Sequence, residues 1–229
     1  MSDEPSNPPP LNFEDVLKQA RRIASRDRFW AARGKAVNAY ANLEQALCRV
    51  FANVSQMSDE RAAIVFFRIA SAQARNDILD KLIRLHYGGQ YNRFWNSVLR
   101  ALRPIDIKRN EIVHWVVVTT LPLTVSGLEP PQVMLRPPTF WSALRHEPPQ
   151  IKSDDLRAFT KICNFYAHAV GSFSWITSWE HRPVVPPSPA LSAAWMRIFR
   201  EPLAYPLPAG TRLPRNELIP RTRRRASPL

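Results

Sequence analysis

Arg109-Asn110-Glu111-Ile112-Val113-His114-Trp115 ends the stretch whose reading decides the fold. Leading into it, Tyr91, Trp95, Val98, Leu102, Ile105, Arg109, Ile112 and Val116 recur at alternating spacings of four and three. That period lays one stripe along a helix, so a helix is expected over roughly 91–116. Pro104 lies inside it and is expected to kink or loosen it locally. The heptapeptide therefore closes a long helix, with an arginine, an amide and an imidazole gathered at its C-terminal end.

Reading outward, proline spacing maps the rest. Prolines crowd the first ten residues, and only Pro104 interrupts 11–121. They return in pairs at 130–131, 137–138 and 148–149, then disappear through 150–182. Proline-free tracts with three- and four-residue apolar spacing predict helices. One is expected over 12–25. A second, over 30–54, carries Tyr40, Leu47, Phe51 and Val54 on one stripe, and Glu44 shares it. A third starts after Ser58 as N-cap, has Asp59 and Glu60 in its first turn, and is ended by Gly88-Gly89.

After the heptapeptide the β-branched run Val116–Thr120 and the segment Gln132–Leu135 predict a β-hairpin over about 115–136. A last long helix over 153–179 would bury Leu156, Phe159, Cys163, Tyr166, Val170 and Phe173. From residue 183 a Pro/Arg-rich tail reads as extended or disordered, apart from a short helix near 190–199. The expected layout is a disordered 1–10, an all-α bundle of four to five helices over 11–182 with the hairpin inserted, and the tail 183–229.

The net charge is +13, of which eight arginines and two glutamates from Pro183 onward carry +6. A basic surface favours polyanions without selecting among them. No apolar run approaches the ~18 residues of a membrane span, and the first residues lack the basic and apolar regions of a secretory signal. Membrane and secretory roles are thereby set aside, and a cytoplasmic location is expected. Cys48 and Cys163 lie in apolar helical patterns and read as reduced packing residues.

Arg109 occupies an apolar stripe position, and a charge held there needs a partner or a function. Glu44, also on a stripe, is the expected partner. Asn110 and His114, four residues apart, share a helix face, whereas Arg109 and His114 diverge by about 140°. One helix presents them divergently; a second copy across a two-fold axis would close the site around one phosphate. The competing reading is structural: arginine and histidine in a last turn complement the helix dipole and bond its free carbonyls.

Other candidates offer less. His86, His146, His168 and His181 form no metal-ligand spacing with cysteines or carboxylates, so no metal or other cofactor is expected. Arg75-Asn76 repeats the start of the motif without a histidine, and Asp77 and Asp80 read as solvent-facing. Trp30, Trp95, Trp141, Trp175 and Trp179 read as core or interface residues. Arg221, Arg223, Arg224 and Arg225 form a basic cluster that would touch RNA or an acidic partner, or stay solvated.

The run Arg109-Asn110-Glu111-Ile112-Val113-His114 resembles the R-N-x-x-x-H motif of HEPN domains, small helical bundles. Ala41–Leu47, with Glu44, sits where such proteins often carry an acidic residue in an early helix, and the resemblance covers roughly 30–180. It implies a metal-independent endoribonuclease of toxin–antitoxin or phage-defence type, working as a homodimer on RNA. It also implies an antitoxin partner such as a nucleotidyltransferase. By that resemblance His114 is the general base on the ribose 2′-hydroxyl, Arg109 stabilises the phosphorane, and Asn110 holds the phosphate or the histidine rotamer. Trp115 departs from the small residue that commonly follows the histidine; its indole would crowd the cleft or stack on a base. The same pocket without cleavage would make a module binding RNA, a nucleotide or a protein. With Arg109 as a buried ion-pair member only, the chain would be a structural adaptor.

Overall fold

A computed structural model describes residues 13–120, 123–124, 127–128, 132–138, 149–178 and 186–216. Among these the chain is mostly helical, with six helices and a small antiparallel hairpin. They are α1 (Phe13–Val54), α2 (Asp59–Phe66), α3 (Ala72–Tyr87), α4 (Asn92–His114), α5 (Ser153–Ser178) and α6 (Pro189–Ile198). No helix among the described residues is long and apolar enough to cross a membrane. The expected disordered start at 1–10, Trp141, Trp179, His146, His181 and the arginines at 221–225 lie outside the described residues.

Two expectations about the helices change. The two helices expected before residue 54 are one, because nothing between Phe13 and Gly34 breaks it. The helix expected from Ser58 to Tyr87 is two. Ala62 and Phe66 are buried, as are Leu79 and Ile83. On one straight helix Phe66 and Leu79 would point about 140° apart. A break at residues 67–71 lets both pairs face a core, and Ser71 caps the new start by accepting from the Ala74 N–H. Among the described residues five helices thus fall within 11–182, inside the four to five expected there, and α6 is the short helix expected in the tail. Gly88, at φ 60°, ends α3 where the sequence placed the stop.

The chain forms two compact units, one drawn from Met1–Asn38 and Lys108–Thr160, the other from Ala39–Ile107 and Lys161–Leu229.

In the first unit β1 (Val116–Thr120) pairs antiparallel with β4 (Gln132–Arg136), Val118 opposite Met134. Between them run two short strands, β2 (Leu123–Thr124) and β3 (Gly127–Leu128), paired with each other. Beyond β4, Leu135 exchanges backbone bonds with Ile151 at 2.9 and 3.0 Å. Val133, Met134 and Leu135 are all buried, so β4 is covered on both faces. Phe29, Ala32, Ala36, Ile112, Leu156 and Phe159 complete this unit's core.

In the second unit Phe94, Trp95, Phe173, Trp195 and Phe199 pack ring to ring, with Phe94 stacked on Phe173 at 5.4 Å. Trp195 and the C-cap residue Phe199 belong to the short helix that the sequence places near 190–199 within the tail. The short helix exists as α6, capped by Ser188 with Pro189 at its first position, and it is built into this core. The indole of Trp195 donates to Asn216 Oδ1 at 3.0 Å, and Asn216 donates to Ser172 Oγ at 2.8 Å. The Leu203 N–H donates to Ser97 Oγ at 2.7 Å. Residues 186–216 thus pack as core and strap, because their few large apolar side chains find partners on α4 and α5.

Candidate functional site

The heptapeptide belongs to the first unit, at the C-terminal end of α4. Ile112 is buried and pins this last turn to the core, which leaves the neighbouring positions outward. Asn110 and His114 are exposed, and Arg109 and Trp115 are half-buried. Arg109 is therefore at the margin of the packed layer, not inside it as the stripe suggested. Its Nη1 donates to Asn110 Oδ1 at 3.0 Å. That bond draws the guanidinium toward the face shared by Asn110 and His114. A long side chain thereby narrows the 140° divergence that the helix backbone imposes.

A residue not singled out from the sequence holds this helix end in place. Arg33, on α1, donates from Nε to the Ile112 carbonyl oxygen at 3.0 Å and from Nη2 to the Val113 oxygen at 3.0 Å. A longer bond of 3.4 Å runs from Nη2 to the Trp115 oxygen. The planar guanidinium suits this, since one fork can serve adjacent carbonyls left open at a helix terminus. Burial lowers the Arg33 pKa from its ordinary value. The guanidinium also lies over the Trp30 ring, 5.2 Å from its centroid. Arg33 thus caps free carbonyls at the end of α4.

Glu44 was the partner expected for Arg109. Glu44 forms its ion pair with Arg75, in the second unit, and the Arg75 guanidinium also lies 5.2 Å from the Phe66 ring centroid. Next to this pair Tyr40 donates its hydroxyl to Asp106 Oδ1 at 2.9 Å, and Asn76 donates to Oδ2 at 3.3 Å. Burial, the largest cause, raises the Asp106 pKa, and the Glu44 charge adds to it. The two hydrogen bonds and Arg75 act in the opposite direction. The cavity among these side chains is only about 10 Å³, so at most one water fits and no ligand does. Arg75-Asn76, set aside for lack of a histidine, and Asp106, not singled out, build a polar core. A charge on an apolar helix stripe was the available signal, and it applied to Glu44 and not to Asp106.

Asp77 is exposed as expected; Asp80 is half-buried and accepts from Arg84 at 3.0 Å. Cys48 and Cys163 are free, buried thiols. Trp95 is core, whereas Trp30 is exposed. His168 lies 2.9 Å from the Pro214 oxygen. Among the described residues no three His, Cys, Asp or Glu side chains gather in a way that could hold a metal ion. A cleft of about 630 Å³ in the second unit is lined by Asn53, Asp59, His86, Tyr87 and neighbours, and no heptapeptide residue lines it. Among the described residues the candidate site is a surface patch. No family model matches the chain, and neither a curated protein nor a solved structure matches it.

Proposed function

We propose that the chain is a HEPN-like, metal-independent endoribonuclease that acts through Arg109, Asn110 and His114. The observation that supports this reading is the arrangement of one helix end. Arg109 is bonded to Asn110, His114 is exposed four residues on, and Arg33 caps the carbonyls of Ile112 and Val113. His114 takes the proton of a ribose 2′-hydroxyl. The 2′-oxygen attacks the adjacent phosphorus, and the Arg109 guanidinium neutralises charge building on the phosphorane oxygens. The 5′-oxygen leaves and takes a proton from solvent, giving a 2′,3′-cyclic phosphate and a 5′-hydroxyl. DNA, without the 2′-hydroxyl, is left intact. The basic surface supplies sequence-independent attraction to RNA. The setting we assign is cytoplasmic, toxin or phage defence, with an antitoxin such as a nucleotidyltransferase as partner.

The test is incubation with mixed RNA in EDTA, comparing wild type with His114→Ala and Arg109→Ala. Cleavage abolished in both variants, with unchanged melting curves, supports the enzyme. Cleavage that survives His114→Ala overturns it. Trp115 favours a second reading, because a half-buried indole directly after the histidine offers a stacking face in the place of a small residue. In that reading the patch binds RNA, a nucleotide or a protein without cutting, and RNA is retained intact by wild type and released by Trp115→Ala.

A further inference from the structure

Trp30 is 42% exposed on α1, although Phe29 and Ala32 beside it are buried in the core of the first unit. Exposure of one apolar side chain is ordinary; what sets this indole apart is how it is held, and where. The Arg33 guanidinium lies over its ring, 5.2 Å from the centroid, and Phe29 meets it edge-on at 6.5 Å. The same guanidinium bonds the Val113 and Trp115 oxygens, on either side of His114, at 3.0 and 3.4 Å. One side chain therefore ties the indole to the helix end that displays His114. Arg26 and Asp27, a turn before Trp30, and Arg33 and Gly34, a turn after, are its neighbours on the helix surface, two cations to one anion. Gly34 is exposed, and a Cβ built on it would meet nothing within 4 Å, so that flank of the indole is bare.

We propose that Trp30 is a stacking platform for an unpaired RNA base next to the phosphate bound at Arg109, so that the substrate is single-stranded there. The proposal rests on the RNA reading of this helix end. Every base offers a π-face to an aromatic side chain, and basic residues interleaved with an aromatic track the strand that carries it. A base inside a duplex is covered on both faces by its neighbours, whereas a base in a loop or at an end can be offered to an indole. Because Arg33 and Phe29 already fix the ring, little freedom is lost when a base lands on it. Arg33 uses Nε and Nη2 on main-chain oxygens, which leaves the two N–H groups of Nη1 for a neighbouring phosphate. Charge favours this occupant over an apolar protein surface. An apolar partner would strip water from the guanidinium without a counter-charge, and a phosphate supplies one.

The test is fluorescence anisotropy of the full chain with a labelled 2′-O-methyl oligoadenylate of about 12 nucleotides, which cannot be cut through its 2′-oxygen. Trp30→Ala should weaken binding of this single strand about tenfold, and Trp30→Phe, which keeps a ring under Arg33, should recover most of it. The same strand annealed to its complement should bind wild type and Trp30→Ala alike. A single strand bound as tightly by Trp30→Ala as by wild type overturns the proposal and leaves the indole to a protein partner. So does a duplex that loses as much as the single strand when the indole is removed. Cleavage is scored separately on unmodified RNA. RNA cut by wild type with an affinity indifferent to Trp30 sinks the stacking site alone; a single strand bound through Trp30 and never cut sinks the enzyme alone.

Discussion

Arg33 bonds the carbonyl oxygen of Ile112, 79 residues away in the chain, at 3.0 Å, and by that bond holds the end of α4 on which His114 is displayed. Two such charge-assisted bonds to main-chain oxygens are worth about 2 kcal/mol together after the cost of desolvating the guanidinium. Arg33→Ala should lower stability by that amount, read by urea unfolding. Arg33→Lys should recover little, because an ammonium lacks the planar fork. Hydrogen exchange at Trp115 and the residues after it should quicken in both variants. Unchanged exchange there would show that the cap does not position the site.

The Glu44–Arg75 pair is mostly buried, its side chains 17% and 12% exposed. Removing one member leaves the other charge poorly solvated, so Arg75→Ala should cost about 3 kcal/mol. Glu44→Leu combined with Arg75→Met should cost less than Arg75→Ala alone, as thermal melts of the variants would show. A double variant as damaged as the sum of the singles would mean the two side chains act independently.

Asp106 carries a raised pKa, chiefly from burial. The folded state therefore holds its proton more tightly than the unfolded state does. The stability this group contributes is full below its ordinary value near 3.8 and is lost as pH rises through the raised value. Asp106→Asn should abolish that decline, so the difference between variant and wild-type melting temperatures should change as pH rises above 3.8. Parallel curves would contradict it.

Burial, helped by the nearby Asp106 charge, pushes the Cys163 thiol up to about 12. The thiolate is the reactive species, so Cys163 should resist iodoacetamide at about pH 8 in the folded protein and react once it is unfolded. Being raised, this group contributes stability that is lost as pH climbs from its ordinary 9.0 toward 12. Labelling in the folded state, mapped by mass spectrometry, would count against the burial argument.

Trp195 is fully buried, stacked on Phe199 at 5.4 Å and bonded to Asn216. Trp195→Ala should cost about 3–5 kcal/mol, the range for truncating a large aromatic in a core. A chain ending before Pro189 should lose its cooperative transition in calorimetry. If instead it melts as the full chain does, residues 186–216 contribute nothing to the core.

The local chemistry of the sequence determined where helices start and stop at Ser58, Gly88 and Ser153, the hairpin after the heptapeptide, and the buried stripe of α5. Each follows from neighbours a few residues apart: a capping side chain, a glycine free to adopt positive φ, an alternation of apolar positions. Only the tertiary structure decided which charges meet. Glu44 lies on a stripe with a definite period, but a period says that a side chain points inward, not which of many arginines waits there; the answer was Arg75. Arg33 gives no periodic signal at all, since its partners are carbonyl oxygens 79 or more residues away. The tail shows the same limit: its short helix near 190–199 was legible, whereas the burial of Trp195 and Phe199 against α4 and α5 is recorded in no local pattern. The heptapeptide lies between these cases: its place at a helix end was legible in its spacing. That Arg109 reaches across to Asn110, and that another arginine caps the helix, depended on side chains brought together by the fold.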